Sequence, residues 1–290
     1  MKILVLGASG MLGSAIVRTL SHDDQLEVYG TVRSAAGKNF FSAEIAGRLI
    51  DNIDVEHFDS LVQVHSKVRP DVVINCIGLV KQVADADNPL NAIPINTMLP
   101  HRLANLCKLG NARLIHISTD CVFNGKKGGY RDFDVSDATD LYGKSKFLGE
   151  VDYENAITLR TSIIGHELHT SHGLIEWFLA QEGNCSGYTN AIFSGLPTVV
   201  LAAVIRDHVL PNPSLHGVYQ VAAKPISKYE LLTLVAKIYR KKITINPSDA
   251  LVVDRSLDAS RFRDATGFLA PEWPELIEAM YLTREGDAIV

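Results

Sequence analysis

The fold of this chain follows most directly from the segment Ile3-Leu4-Val5-Leu6-Gly7-Ala8-Ser9-Gly10-Met11-Leu12-Gly13. A short apolar run, as expected of a buried strand, leads into three glycines that open a helix predicted over residues 11–20. In such a unit the glycines allow a tight turn, close approach of the backbone to a pyrophosphate, and close helix–strand packing. The helix N-terminus adds free N–H groups and a partial positive charge. The motif predicts a dinucleotide-binding loop, and a plain strand–helix turn is the alternative. Its cofactor-binding candidates are Gly7, Ser9, Gly10, Met11, Leu12 and Gly13.

The alternation of strand and helix continues over the first 160 residues. Apolar runs predict strands at residues 28–32, 48–50, 71–76, 113–118 and 157–159, and helical patterns lie at 55–68, 95–109 and 141–151. The strands are apolar throughout, which is typical of a parallel sheet covered on both faces. We therefore predict an α/β fold with a doubly wound parallel sheet, a Rossmann domain for NAD(P), over residues 1–160.

The pattern loosens after about Thr161. Helices are predicted at residues 173–181 and 227–239, and a strand at 217–221. These elements predict a smaller C-terminal substrate-binding lobe over residues 161–290, with some of its segments returning to the main sheet.

Composition restricts the class of protein. The chain has 290 residues, 47% of them hydrophobic and 21% charged, and a net charge of −5, so a nucleic-acid partner is not expected. The longest apolar stretch, at residues 196–205, is too short to cross a bilayer. Met1-Lys2 leads at once into the first strand, which predicts no signal peptide. We expect a cytoplasmic protein with no membrane partner.

Cysteine and histidine spacing does not favour a metal site. The four cysteines show no C-x-x-C pair, so neither a zinc site nor a disulfide framework is predicted. His166, His169 and His172 are spaced by three, but no carboxylate or cysteine completes a ligand set. We predict that they belong to a loop that gates the substrate.

The end of the second predicted strand indicates which dinucleotide is bound. It reads Gly30-Thr31-Val32-Arg33, without the carboxylate that would accept the ribose hydroxyls of NAD. A guanidinium suits a 2′-phosphate, so Arg33 and Ser34 predict NADPH, with NADH left open. A solvated Arg33 is the alternative. Asp54 and Val55, after the third strand, are candidates to flank the adenine.

Tyr142 and Lys146 form the candidate chemical centre. Four residues apart on a helix, they share one face, where an ammonium can lower the pKa of a phenol. Such a phenol exchanges a proton with a carbonyl or alcohol oxygen. Ser118 and Thr119 end a predicted strand, where open α/β sheets bind ligands, and a hydroxyl there can bond the reacting carbonyl. A turn-capping Ser-Thr pair is the alternative.

Together these segments resemble the extended short-chain dehydrogenase/reductases, and within them the dTDP-4-dehydrorhamnose reductase group. The matching segments are residues 7–13, 75–78, Asn96, 118–125, 142–146 and 159–165.

The resemblance implies a role for each matching position. Tyr142 is the expected general acid, Lys146 binds the nicotinamide ribose and depresses the pKa of the tyrosine, and Thr119 polarises the substrate ketone. Asn96 supports a proton relay or a structural water. The backbone of residues 161–163 holds the carboxamide. The further cofactor-binding candidates are Cys76, Ile77, Gly78, Asn96, Ser118, Thr161, Ser162 and Ile163. The implied reaction is hydride transfer from NADPH to the C4 ketone of a nucleotide-linked 4-keto-6-deoxy sugar, for surface polysaccharide synthesis.

Departures from the family pattern leave the identity of the substrate sugar undetermined. Cys121 replaces a tyrosine frequent in the group, and residues 75–82 replace an alanine-rich segment. A UDP-linked 2-acetamido-4-keto sugar reductase or an epimerase is one alternative. A non-catalytic NADP-binding subunit, like the regulatory subunit of methionine adenosyltransferase, is another, and a homodimer stays open. The substrate-binding candidates are Lys81, Cys121, Val122, Phe123, Trp177, Arg206 and Arg255.

Overall fold

The structure is a computed structural model and describes residues 1–80, 87–169 and 171–284. The strands in these ranges are β1 (Lys2–Leu6), β2 (Glu27–Thr31), β3 (Leu49–Ile50), β4 (Val72–Asn75), β5 (Arg113–Thr119), β6 (Ala156–Thr161), β7 (Ile163–Ile164), β8 (Asn184–Tyr188), β9 (Ala191–Phe193), β10 (Leu196–Pro197), β11 (Gly217–Gln220), β12 (Ile226–Ser227), β13 (Thr244–Ser248) and β14 (Val253–Asp254). The α-helices are α1 (Met11–Ser21), α2 (Ala43–Gly47), α3 (Phe58–Val68), α4 (Pro89–Ala92), α5 (Leu99–Leu109), α6 (Leu141–Leu148), α7 (Leu174–Ala180), α8 (Thr198–Val204), α9 (Lys228–Ile238), α10 (Ser260–Thr266) and α11 (Trp273–Leu282).

The predicted parallel sheet is confirmed. Within the described ranges it has seven strands in the order β11-β6-β5-β4-β1-β2-β3, and every neighbouring pair is parallel. The chain leaves β1 towards β2 on one side and later returns to β4 on the other. Such a reversal opens a crevice at the carboxyl ends of the strands. The glycine loop and the ends of β4, β5 and β6 all meet at this edge.

Each face of the sheet has its own apolar core. Ile3 and Val5 point to the face covered by α1, α8 and α11, whereas Leu4 and Leu6 point to the face covered by α3 and α5. The first core also contains buried residues from α7 and α9. Residues beyond 160 therefore pack directly on the sheet, and β11 extends it beside β6. Smaller pairings, β12-β9-β14, β13-β8 and β10-β7, form the rest of the C-terminal part.

Three predicted helices have different ends, each for a local reason. The helix predicted over 95–109 starts earlier, as α4, and passes through a π-helical segment, Ile93–Met98, before α5; prolines such as Pro94 lack the N–H that an α-helical turn requires. The helix predicted over 55–68 starts at Phe58, because the Asp54 carboxylate accepts the Glu56 N–H in a turn. The helix predicted over 141–151 ends at Leu148, where Gly149 caps it.

The described helices do not include one that is both long enough and apolar enough to cross a membrane.

Candidate active site

The glycine loop has a backbone that other residues cannot adopt. Gly7 has a φ of +82°, and a Cβ on Gly13 would lie 2.1 Å from the Gly7 carbonyl oxygen. The Gly7 N–H donates to Thr31 Oγ1 of β2, which fixes the loop against the sheet. Among the described residues, no side chain caps α1, and its first turn has no acidic residue. The backbone N–H groups there suit a phosphate. The Leu12 side chain is buried in the core, so only its backbone can serve a cofactor.

Arg33 and Ser34 follow β2 and are exposed at the edge of this loop. The charge of Arg33 also acts on Asp54: the Glu56 N–H lowers the pKa of Asp54 most, burial opposes it, and His57 and Arg33 lower it further. A guanidinium and a carboxylate are therefore near each other after β2 and β3, and their roles at the 2′-phosphate and the adenine stay predictions. Val55, between them and the core, packs on the apolar cluster under α3.

The loop after β4 is held by hydrogen bonds to the side-chain amide of Asn96. Asn96 accepts the Leu79 N–H at 2.8 Å and donates through Nδ2 to the Leu79 carbonyl at 3.0 Å and to Ser145 Oγ at 3.1 Å. These bonds tie the loop that contains Cys76, Ile77 and Gly78 to α6. The sequence predicts a proton-relay or cofactor role for Asn96. In the structure its side chain holds the protein's own backbone.

A tight contact places Tyr142 beside the end of β5. Asp140 caps α6 by accepting the Gly143 N–H at 2.8 Å, and a Cβ on Gly143 would lie 2.2 Å from the Cys121 carbonyl oxygen. Only glycine allows this approach of α6 to the turn after β5. Thr119 Oγ1 accepts the Cys121 N–H at 3.1 Å and donates to Asp120 Oδ1 at 3.2 Å, and Thr119 also acts on the Tyr142 phenol by lowering its pKa. The structure therefore brings Thr119 and Tyr142 together at the end of β5.

Lys146 lies behind Tyr142 on α6. Its side chain is buried, and Nζ donates to the Ile117 carbonyl at 2.8 Å. Burial lowers the pKa of Lys146 to about 8, while Glu150 and Cys76 raise it.

The pKa of Tyr142 moves opposite to the predicted direction. Burial raises it most, Cys121, Asp120 and Asp140 raise it further, and the bond from Thr119 lowers it. The prediction that this phenol has a depressed pKa is wrong for this structure, because burial of the phenol has the largest effect and raises the pKa. The phenol stays protonated at neutral pH, as an acid that donates to a ketone must be.

Two charged residues on the substrate side, Asp120 and Lys228, are not among the predicted site residues. Asp120 is buried; burial raises its pKa, and Arg255, Thr119, Cys121 and Lys228 oppose that change. Asp120 directly follows Thr119, which was the available signal. Lys228 begins α9 and gives no sequence signal that connects it to Asp120.

Several predicted substrate contacts are misplaced. The side chains of Val122 and Phe123 are fully buried beside Tyr130, so the prediction that they touch substrate is wrong. A short 3-10 turn, Asp120–Val122, directs them inward. Arg206 is paired with Asp207, and the charge of Asp23 raises the pKa of Arg206 further. Asp23 comes just after the C-terminal end of α1, whereas the glycine loop is at the N-terminal end of that helix. Arg206 therefore lies away from the site, and that prediction is also wrong.

The remaining candidates divide between the site and its surroundings. Ser118 directs its hydroxyl to Glu150 at 2.7 Å rather than to a cofactor, and Arg255 donates from Nε to the Phe123 carbonyl at 2.7 Å. Cys121 lies next to Tyr142. Trp177 is 40% exposed on α7, outside the buried face of that helix. Lys81 lies outside the described residues.

The segment after β6 is held mainly by backbone bonds. The Thr161 hydroxyl donates to the Ser162 carbonyl, which also accepts the Leu196 N–H at 2.9 Å, and Ile163 begins β7. His166, in the next loop, bonds Glu176 at 2.6 Å and the Tyr239 hydroxyl at 2.8 Å.

The parallel sheet, glycine loop and Thr–Tyr–Lys set define an extended short-chain dehydrogenase/reductase. The chain belongs to the family described as the RmlD substrate binding domain, whose model matches residues 1–280.

Relatives and solved structures extend this assignment. The chain is 29% identical over 254 residues to methionine adenosyltransferase 2 subunit beta of Danio rerio, covering 82% of this chain and 74% of that protein. It is 24% identical to a dTDP-4-dehydrorhamnose reductase of Aggregatibacter actinomycetemcomitans, covering 79% and 76%. A dTDP-4-dehydrorhamnose reductase of Bacillus anthracis, solved with NADP, has a TM-score of 0.78 at 22% identity, covering 97% and 98%, and shows a shared fold.

Proposed function

We propose that the chain is an NADPH-dependent reductase of the C4 ketone of a nucleotide-linked 4-keto-6-deoxy sugar. The observation that carries this proposal is that α6 packs against the turn after β5 and brings a Tyr142 phenol, which burial keeps protonated, next to Thr119 at the edge of the sheet where the glycine loop opens. The proposal includes a place in surface polysaccharide synthesis in the cytoplasm.

The residues present fit a dinucleotide. The cradle at Gly7, Gly10 and Gly13 is one that a side chain would fill, since a Cβ on Gly13 meets the Gly7 carbonyl at 2.1 Å. The start of α1 would hold the pyrophosphate, and Arg33 with Ser34 the 2′-phosphate. NADPH supplies the hydride when bound. The NADP in the Bacillus anthracis reductase supports the same choice of cofactor.

The chain's own residues supply orientation and the proton. Thr119 hydrogen-bonds the ketone oxygen, and Tyr142 donates its phenolic proton to that oxygen as the carbon gains hydride. Lys146, buried against Ile117, would bind the ribose through its ammonium group. The same positive charge would stabilise the Tyr142 phenolate that is left when the phenol has donated its proton. The product is the secondary alcohol.

The test is oxidation of NADPH, followed by absorbance, with a panel of substrates. The panel pairs dTDP-4-keto-6-deoxy sugars with UDP-linked 2-acetamido-4-keto sugars, which separates the proposal from its closest alternative. Tyr142→Phe should lower kcat by about 100-fold or more, with the NADPH Kd nearly unchanged. Tyr153→Phe is the matched control, because that phenol bonds His101 at the surface. Near-normal turnover by Tyr142→Phe would contradict the assigned role.

A second function is favoured by the relative from Danio rerio. The likeness to methionine adenosyltransferase 2 subunit beta covers most of both chains. In this alternative the chain binds a dinucleotide and serves as a partner of a methionine adenosyltransferase. Calorimetric titration with such an enzyme tests it. Tight binding together with no NADPH oxidation by any member of the panel would replace the reductase proposal.

A further inference from the structure

Ser118, Glu150 and Arg160 form a buried ionic cluster next to the candidate catalytic residues. Glu150 Oε1 accepts hydrogen bonds from the Ser118 hydroxyl at 2.7 Å and from Arg160 Nε at 2.9 Å, while Oε2 accepts one from Arg160 Nη2 at 2.5 Å. The side chains of Glu150 and Arg160 are each 4% exposed. A buried pair of this kind is costly unless its hydrogen-bonding groups are matched, as they are here. The cluster joins the carboxyl ends of the neighbouring strands β5 and β6 to Glu150, the residue after the Gly149 cap of α6.

The same strand residues are held by Lys146. Its Nζ donates to the carbonyl of Ile117, and Glu150, four positions later, accepts from the hydroxyl of Ser118. Two charged groups of opposite sign therefore fasten one end of α6 to two consecutive residues of β5. Thr119, which lies next to Tyr142, is the next residue of that strand.

We propose that Glu150, fixed by Ser118 and Arg160, is a positioning residue that keeps Lys146 as an ammonium against β5 and thereby sets the upper pH limit of the reaction. This inference rests on the proposed function, because it assumes that the Lys146 ammonium assists the reduction.

The groups around Lys146 show why an anion is required there. Burial lowers the pKa of Lys146 to about 8, and Glu150 opposes burial more strongly than Cys76 does, even though Glu150 is paired with Arg160. Burial raises the pKa of the Cys76 thiol to about 12, so this group is neutral at physiological pH.

The other titratable neighbours are neutral as well. Burial and the charge of Lys146 hold the pKa of His116 well below its usual range, and the Tyr142 phenol stays protonated. Among these described neighbours of Lys146, Glu150 supplies the negative charge. The carboxylate is therefore the group whose removal should let Lys146 lose its proton at lower pH.

The test is a direct titration of Lys146 in the NADP-bound protein. The ε-carbon of lysine is labelled with ¹³C, and the Lys146 signal is assigned by its loss in Lys146→Met. Glu150→Gln keeps the side-chain shape and an oxygen acceptor but removes the charge. We expect it to lower the pKa of Lys146 by about 1 or more, and the upper pH limit of NADPH oxidation should fall with it.

Two further variants make the result decisive. Glu154→Gln removes an exposed glutamate four positions later and should leave the Lys146 titration unchanged. Glu150→Gln leaves Arg160 buried without its anion, and that cation also lowers the pKa of Lys146. The double variant Glu150→Gln/Arg160→Met removes both charges, so its Lys146 pKa should lie between those of the parent and of Glu150→Gln. A folded Glu150→Gln variant whose Lys146 titrates as in the parent would overturn the proposal.

The titration needs no turnover, so the two proposals fail separately. If no sugar nucleotide is reduced but the Lys146 pKa still falls in Glu150→Gln, the proposed reaction is wrong and the electrostatic role of Glu150 stands. If turnover is found and the pH limit does not move in Glu150→Gln, the role of Glu150 is wrong and the reductase stands.

Discussion

The cofactor side and the substrate side of the candidate site are built in different ways. The cofactor side consists of turns that follow single strands, with the glycine loop after β1 as its centre. The substrate side consists of the loop after β5, held by a distant segment. Asp254 N–H donates to the Gly125 carbonyl at 2.7 Å, Tyr130 N–H to the Ser256 carbonyl at 2.9 Å, and Arg255 to the Phe123 carbonyl.

This difference separates local from long-range determinants. Gly7 and Gly13 lie six positions apart and shape the loop through backbone geometry alone. Phe123 and Arg255 are 132 positions apart, so their contact exists only once both parts of the chain have folded. Damage to the packing around Phe123 should therefore disturb the substrate side while the glycine loop keeps its shape.

The largest expected effect comes from Phe123→Ala. The ring is fully buried and stacks on Tyr130 with centroids 4.1 Å apart, in a small cluster that includes Leu257. We expect the free energy of unfolding to fall by about 3–5 kcal/mol, measured by urea denaturation. Phe133→Ala is the control: that ring is 82% exposed, so its loss should cost less than about 1 kcal/mol.

The same variant tests the comparison through ligand binding. At a temperature where Phe123→Ala is folded, the NADPH Kd should stay near the parent value while the KM for the sugar nucleotide rises. An equal loss of NADPH affinity would show that the two sides of the site are one cooperative unit.

A smaller effect, confined to the cofactor side, is expected from Gly13→Ala. The new Cβ would lie 2.1 Å from the Gly7 carbonyl oxygen, so the loop must shift. Overpacking of this kind costs about 1–3 kcal/mol, which corresponds to an NADPH Kd that is about 5-fold to 150-fold higher in a fluorescence titration. Gly47→Ala is the matched control, since a Cβ at that helical glycine meets nothing within 4 Å. Unchanged NADPH affinity in Gly13→Ala would remove the loop from the cofactor site.

The contrast between local and long-range contacts also explains which features the sequence predicts. The sheet, the glycine loop and the Thr119–Tyr142 pair follow from strand ends and helical spacing, which are properties of short segments. The predictions for Val122 and Phe123 fail because a 3-10 turn after β5 directs both side chains inward.

The sequence does not predict the roles of residues whose partners are distant along the chain. Glu150 gains its partners only when β5 and β6 lie side by side and bring Ser118 and Arg160 to it. Asp120 gains Arg255 and Lys228 only from the C-terminal part of the chain. Local spacing contains no information about such pairings.

The smallest expected effect is a pH dependence that differs between the two sides. On the cofactor side, burial lowers the pKa of Lys146 to about 8, so the ammonium is present below that pH and is lost above it. On the substrate side, burial raises the pKa of Asp120, so its carboxylate becomes protonated at a higher pH than an exposed aspartate would.

These two titrations predict different pH dependences for the two ligands. Loss of the Lys146 proton should weaken NADPH binding, so that the NADPH Kd rises by no more than about tenfold over the first pH unit above 8. The KM for the sugar nucleotide should instead change at acidic pH. Measuring the NADPH Kd and this KM separately across pH tests the alkaline and the acidic change. If both quantities change over the same pH range, one titrating group governs the whole site, and the two sides are not electrostatically independent.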